Sequence, residues 1–335
     1  MPATIVVDAL WGDSGKGKIA SFLAQKHRAS LCARAGTGTN AGHSLYLEGD
    51  RILKTHQLPL AGILSGARLR VGSGVAVDPR VFFAELEAFK EFDVASRARV
   101  DGRCPVILPG YAEEERSDPH LSGTVGSTCS GTGVAQAAFC LRKATQAKEV
   151  DALAPFVCDV AREINETCAR GETVIVEGSQ GTFLSLALSR DYPYCTSGNC
   201  TAVACADDVG LSWRHIREVV LVVKAVPSRI GAGPLPGELS VAEQDARGIA
   251  EYGVLTGRRR RKASSIPMEL LKESVLLNGA TKIALTFCDH LDPSMKDARA
   301  PTGPVRELVR RIEAACAIPV FLLDCGKPYG SILQV

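Results

Sequence analysis

The chain has 335 residues, of which 46% are apolar and 23% charged, and its formal net charge is +2. That is enough apolar material for a substantial core, and the near-neutral balance gives no whole-chain case for nucleic acid or a membrane as partner. No apolar run approaches the roughly 20 residues of a transmembrane helix, and the N-terminus enters a strand pattern directly with no signal peptide, so a cytoplasmic protein is expected.

Thr4–Val7 reads as a buried strand, and Ile19–Lys26 as a helix with Ile19, Phe22 and Leu23 on one face. Between them lies a glycine-rich turn holding Gly12, Asp13, Ser14, Gly15, Lys16, Gly17 and Lys18. Strand, glycine loop and helix together aim backbone N–H groups and a helix N-terminus at a phosphate, and the two lysines add positive charge. Gly12 to Lys18 fits the first seven positions of the phosphate-loop pattern G-x-x-x-x-G-K, but Ile19 stands where a Ser or Thr would bind Mg²⁺. The turn is either a chance match or a variant that holds its metal differently, and Asp13 offers the hard oxygen that Mg²⁺ prefers.

Further along, Leu69–Val77 has strand character with a glycine break, Val81–Phe92 is helical, and Pro105–Leu108 is a short strand. Val150–Arg170 reads as a helix and Thr173–Glu177 as a strand ending in Gly178, Ser179, Gln180 and Gly181. Glu218–Lys224 is a fully buried strand, and a helix starts near Ser265 and Pro267 and stops at Asn278 and Gly279. Lys282–Thr286 is a strand, Pro304–Cys316 an amphipathic helix, and Pro319–Leu323 a last strand. Continuous rather than alternating apolar strands, separated by helices, imply an α/β fold with a mainly parallel central sheet flanked by helices on both faces. No repeat or linker divides the chain, which reads as one domain over 1–335. The twelve cysteines are scattered through apolar context, as buried free thiols are. Cys195, Cys200 and Cys205, five apart, match no common zinc spacing.

Three more segments carry chemistry. Gly36–His43 is glycine-rich and ends in Asn40, Ala41, Gly42 and His43: an amide able to bond a phosphate or base edge, and an imidazole suited to proton transfer. Gly126–Gly133, with Ser127, Thr128, Ser130 and Thr132, has the hydroxyls of a phosphate cradle or of a plain surface loop. Thr256-Gly257-Arg258-Arg259-Arg260-Arg261 is the densest charge run. It is a solvated turn, a weak nucleic-acid patch, or a clamp for a small dianion, and planar guanidinium forks in a nearly neutral chain favour the clamp.

Taken together, these segments resemble the adenylosuccinate synthetase family. Its signatures occur in order: Trp11-Gly-Asp-x-Gly-Lys-Gly, Asn40-Ala-Gly-His43, Gly126-x-Thr128, Glu177-Gly-x-Gln-Gly181, Tyr192-Pro-Tyr-x-Thr196-Ser197, Arg229-x-Gly-Ala-Gly-Pro234 and Thr256-Gly-Arg-Arg-Arg-Arg261. The resemblance implies a ligase that phosphorylates O6 of a 6-oxopurine nucleotide with a nucleoside triphosphate and lets the aspartate amine displace that phosphate. It implies Asp13 as the base at purine N1 and a Mg²⁺ ligand, with the Gly42 carbonyl as a second ligand. His43 would stabilise or protonate the developing O6 charge, while Gly12, Ser14, Gly15, Lys16, Gly17, Lys18 and Gly42 surround the triphosphate. Asn40, Ser127, Thr128, Gln180, Cys195, Thr196, Ile230 and Arg258 would hold the purine nucleotide. Arg142 would reach its phosphate from the partner subunit of a homodimer. Thr256, Arg258 and Arg260 would bind aspartate.

The sequence also departs from the family pattern. Ser14 stands where the family has Glu, and the guanine-reading Thr-Lys-x-Asp is Thr286-Phe287-Cys288-Asp289. The later Ser-Thr-Gly-Pro is Asp324-Cys325-Gly326-Lys327. With Asp289, Asp324 and Gly326 at the triphosphate's base, an Asp324 carboxylate would accept from an adenine amino group and repel a guanine carbonyl, whereas Asp289 suits guanine, and ATP or dATP is the expected donor with GTP the alternative. Ser14 would leave room for a purine 2-amino group. In this the chain is similar to the phage-type branch that acts on dGMP to make a 2-aminoadenine precursor, so dGMP is the expected substrate and IMP the alternative.

Overall fold

The computed structural model describes residues 3–49, 51–252 and 257–335. In chain order its strands are β1 (Ala3–Asp8), β2 (Leu31–Arg34), β3 (His43–Tyr46), β4 (Ile52–Thr55), β5 (Arg68–Val71), β6 (Ala98–Asp101), β7 (Val157–Cys158), β8 (Val174–Glu177), β9 (Ile216–Lys224), β10 (Ser228–Arg229), β11 (Arg261–Lys262), β12 (Lys282–Thr286), β13 (Val320–Asp324) and β14 (Ile332–Gln334).

β1 is buried along its whole length. A strand with no solvent face needs a partner on each edge and cover on each face. β8 and β9 flank it, both parallel, in a ten-stranded sheet of order β14-β13-β12-β9-β1-β8-β2-β5-β6-β7. Every neighbouring pair in that sheet is parallel except β13 with β14. Alternate residues of the central strands serve opposite faces. Ile5, Val7, Val176, Leu221 and Leu285 join Leu271, Val305 and Ile312 from the helices Met268–Asn278 and Gly303–Cys316. Val6, Ile175, Val220 and Ala284 join Ile19 and Leu23 from the helix Lys16–Lys26. The expected α/β architecture is therefore present, and two covered faces explain why the strands are apolar throughout.

Three expectations need correction. Val150–Arg170 is not one helix: a 3₁₀ segment Asp151–Phe156 leads into β7, and the α-helix runs only from Val160 to Ala169. Pro155 disfavours helical backbone before it, and the Asp159 side chain starts a new helix by accepting from the Arg162 N–H. Pro105 and Val106 make isolated bridges rather than a strand, and β5 stops at Val71, before the glycines that follow it. No helix among the described residues is long and apolar enough to cross a membrane.

Parallel sheets bind ligands beyond the C-terminal ends of their strands. Those ends here are Asp8 of β1, Glu177 of β8, Lys224 of β9, Thr286 of β12 and Asp324 of β13, all buried.

Candidate active site

The turn after β1 is built for close approach. Gly12, Asp13 and Gly15 all have left-handed backbone, with φ of 82°, 57° and 79°, which glycine adopts freely and Asp tolerates. The Asp8 carboxylate braces the turn by accepting from the Leu10 and Gly12 N–H groups at 2.7 and 3.0 Å. Gly15 caps the helix Lys16–Lys26 without a side-chain hydrogen bond, so that N-terminus keeps free donors. Lys16 is buried and donates to the Gln180 carbonyl at 2.6 Å.

Lys18 lies apart from this cradle. Its ammonium is spent on Asp324 Oδ1 at 2.5 Å, the Gly326 carbonyl at 2.7 Å and Ser331 Oγ at 2.8 Å. Lys18 joins the first helix to the end of the sheet, and the carboxylate of Asp324 faces a buried cation rather than an open base pocket. Asp289 differs: it is half-buried and its Oδ1 has no hydrogen-bond partner among the described residues.

Asp13 sits in a cluster of charges. Its Oδ2 receives Arg260 Nε at 2.7 Å, Ser228 Oγ at 2.9 Å and Lys224 Nζ at 3.2 Å. Arg260 is buried, and its second arm, Nη1, has no partner among the described residues. Lys224, at the end of β9, also donates to Glu251 at 2.7 Å and stands 4.2 Å from the centroid of the Phe287 ring. Glu251 accepts from Lys262 as well, and Lys262 lies 3.3 Å from His290. Burial works against the Glu251 anion, but Lys224 and Lys262 outweigh it and hold this carboxyl far below its usual range. Burial, reinforced by Lys224, draws Lys262 down to about 8. None of these partners of Asp13 and Arg260 was foreseen. The legible signal was Lys224 itself, a lone cation closing an otherwise apolar buried strand.

His43 opens β3 and is buried against Arg34 and Glu177, the last residues of β2 and β8, which lie opposite each other in parallel register. Burial, with Arg34 beside the ring, lowers His43 to about 4, so the imidazole is neutral at physiological pH. Burial would raise Glu177, but His43 and Arg34 hold it below the usual carboxylate range. Gly17 lets the ring come this close. A Cβ there would stand 2.7 Å from His43 Cβ and 2.9 Å from Leu60 Cδ2. Gly17→Ala is therefore expected to destabilise the protein by about 1–3 kcal/mol, as overpacking does, and to cut kcat more than tenfold. Thermal unfolding and steady-state kinetics on one preparation check both.

The second glycine-rich segment is gathered with Thr196. Asn40 Nδ2 donates to Thr196 Oγ1 at 3.0 Å, and Thr37 Oγ1 donates to Asn40 Oδ1 at 3.0 Å. Its other anchor is Asp208, which accepts from the Gly36 N–H at 2.7 Å. Burial pushes Asp208 up to about 7 against that hydrogen bond. An acid raised in the folded state holds its proton better than the unfolded chain does, so stability falls as pH rises from about 4 to 7. Asp208→Asn keeps an acceptor for Gly36 and is expected to flatten that fall, which melting curves from pH 5 to 8 measure.

The third loop is occupied from within. Glu115, buried, accepts from the N–H groups of Gly131, Gly133 and Val134 at 3.0, 2.6 and 3.4 Å. The loop read as a phosphate cradle or a plain surface loop thus holds a carboxylate of the chain itself. Ser127 and Thr128 remain toward the surface beside it. Cys195 is half-buried before Thr196, Ile230 is 40% exposed, and Gly42 packs against the His56 ring. Arg142 and Arg258 are exposed. Thr256 lies outside the described residues. All twelve cysteines are free, and no group of three acidic, His or Cys side chains among the described residues is placed to cage a metal.

The family model for adenylosuccinate synthetase matches residues 5–152 and 143–296. The adenylosuccinate synthetase of Thermococcus sibiricus is 42% identical over 338 residues, covering 100% of this chain and 99% of that one. That of Pyrococcus sp. (strain ST700) is 43% identical over 337 residues, covering 100% and 98%. In structure, the fully ligated adenylosuccinate synthetase of Plasmodium falciparum superposes with a TM-score of 0.87 at 19% identity, over 99% of both chains. The succinoaminodeoxyadenylate synthetase of cyanophage S-2L, bound to dGMP and dATP, gives 0.81 at 24% identity, over 99% of this chain and 95% of that one. At those identities the two structures speak for the fold alone. The expected phage-type kinship is thus a likeness of fold, while these full-length sequence relatives are archaeal.

Proposed function

The chain belongs to the adenylosuccinate synthetase family and is a carbon–nitrogen ligase of that type, and we propose that it joins L-aspartate to IMP at the expense of GTP. The observation that carries this reading is the pairing of Asp13, on the phosphate turn, with Arg260, whose free buried arm suits a substrate carboxylate. The full-length archaeal relatives at 42–43% identity favour IMP over dGMP. For the donor, the unpartnered Oδ1 of Asp289 suits the N1–H and 2-amino donors of guanine. The argument for adenine falls away once Asp324 is tied to Lys18.

In this mechanism Asp13 takes the N1 proton of the purine, which makes O6 a nucleophile toward the γ-phosphate. The aspartate amine then adds at C6 and loses a proton as the C6–O6 bond breaks, and O6 departs with the phosphoryl group as inorganic phosphate. Arg260 and Arg258, with Thr256, orient the aspartate, and Lys16 and the turn's N–H groups take the triphosphate. Asn40, Thr196, Gln180, Ser127, Thr128, Cys195 and Ile230 line the purine nucleotide. Arg142, exposed at the end of the helix Thr132–Cys140, completes that site in a homodimer by reaching across from the partner. Mg²⁺ would be held by Asp13 and the Gly42 carbonyl and would neutralise charge on the phosphates. The fit is favourable, since among the described residues Asp13 spends only Oδ2 on protein partners and Mg²⁺ takes most of its ligands from phosphate and water. The strand order, which interleaves early and late segments, supports treating 1–335 as one domain.

A second reading, with dGMP as substrate, rests on Ser14. Its hydroxyl is buried without a partner among the described residues, beside a cavity of about 10 Å³ that it lines with Asp8, Lys224 and Ser228. The test is a matrix of IMP, GMP and dGMP, each with aspartate, Mg²⁺ and either ATP or GTP, following the succino-nucleotide by mass. Product from IMP with GTP is expected. Product from dGMP alone would replace this reading with the second, and no product in any well would overturn both.

A further inference from the structure

Glu177 has no role in the mechanism above, yet it is fully buried and its carboxylate lies against His43. Its Oε2 accepts from the Ala61 N–H at 2.7 Å. Its Oε1 accepts from the Leu60 N–H at 3.3 Å and Arg34 Nη1 at 3.2 Å, and lies against His43 Nδ1. Two of these donors are backbone groups and the third belongs to the neighbouring strand, so the carboxylate cannot swing. Arg34 in turn donates to the Ala41 carbonyl at 3.2 Å, holding the turn that delivers His43.

Two groups compete for Nδ1, and geometry separates them. Arg34 Nη1 is 2.7 Å from Nδ1 but also 3.3 Å from Nε2. A donor in line with the Nδ1 lone pair would stand roughly 5 Å from Nε2, because that lone pair points away from the far side of the ring. The guanidinium therefore lies across the ring, while the carboxylate oxygen meets Nδ1. An ionised carboxylate only accepts, so the nitrogen facing it must carry the proton.

We propose that Glu177 is the positioning residue for His43, fixing the ring as the Nδ1–H tautomer with Nε2 as its unprotonated, reactive edge. The chemical part of this rests on the reading that His43 serves the purine O6. In the neutral ring Nε2 accepts. A Gln at 177 cannot satisfy the same partners: with its amide NH₂ at one oxygen position it opposes the Ala61 N–H, and at the other it meets Arg34 and presents a donor to Nδ1.

The test begins with the native enzyme. Two-bond ¹H–¹⁵N spectra of histidine-labelled protein, with the His43 signal identified by its loss in His43→Asn, are expected to show a protonated Nδ1 and a bare Nε2. A proton on Nε2 overturns the proposal without any variant at 177. In Glu177→Gln the tautomer is expected to shift, and kcat to fall about 10–100-fold, as when a ring-orienting partner is lost, with KM for aspartate within twofold. His43→Ala and the double variant should then lose the same activity. If their losses multiply instead, Glu177 acts on the core and not through His43, and the proposal fails. Full turnover in His43→Ala would instead refute the role given to His43, leaving the tautomer measurement to decide what holds the ring.

Discussion

Asp13→Asn is expected to lower ligase turnover by about 10³-fold, in the middle of the range for losing a positioned general base, while nucleotide affinity changes only a few-fold. Asn is the informative replacement for two reasons. It tolerates the left-handed backbone at this position, where φ is 57°, better than Ala does. Its oxygen can still accept from Arg260 Nε and Ser228 Oγ, which hold the native carboxylate at 2.7 and 2.9 Å. Lys224 keeps its second partner, Glu251, at 2.7 Å. The substitution therefore removes basicity and leaves the scaffold almost intact. Single-turnover assays for the 6-phosphoryl intermediate, beside equilibrium binding of the nucleotide, separate chemistry from binding. Turnover within tenfold of native would mean that the N1 proton goes elsewhere.

Glu251→Gln is expected to destabilise the protein by about 2–3 kcal/mol at pH 7, somewhat below the cost of breaking a fully buried pair because this side chain is partly exposed. Two ammonium groups depend on it: Lys224 and Lys262, whose side chains are 3% and 0% exposed. Without the carboxylate, Lys262, already at about 8, is expected to shed its proton near neutrality. The effect has a signed pH dependence. The folded-state carboxyl lies below its ordinary value of 4.5, so its contribution is complete above that pH and drains away as the pH falls further. The gap between native and variant stability in urea should accordingly be widest at neutral pH and narrow below about pH 4.5. A gap that does not change with pH would assign the loss to packing.

The frame of the molecule was readable because it depends on short-range pattern. The strands at 3–8, 174–177, 216–224, 282–286 and 320–324 are apolar runs, and the helix Met268–Asn278 ends at Gly279 with left-handed backbone, as its sequence implied. β2, β6 and β7 went unread, being too short to show a period. The individual motifs were legible for the same local reason, but their mutual contacts were not. Nothing in the neighbourhood of Lys18 announces Asp324, and nothing near His43 announces Glu177. Glu115 was invisible for a further reason, since one acid in the run Glu113–Glu115 on a short helix looks like surface until the loop it caps folds over it. Family likeness supplied roles for many residues and none for Lys224, Arg34 or Glu177, whose charges are aimed at Asp13 and His43, the residues proposed as catalytic.

The position of β1 has a consequence for biosynthesis. Its parallel partners are residues 174–177 on one edge and 216–222 on the other. At ribosomal speeds of ~5–20 residues per second, the second partner follows β1 by roughly 10–40 s. Until residues 174–177 emerge the nascent chain displays an apolar strand with both edges open, and one edge stays open until 216–222 follow. Recovery of active enzyme should therefore respond to the tempo of translation and to holdase chaperones more sharply than in a protein whose first strand pairs with its immediate successor.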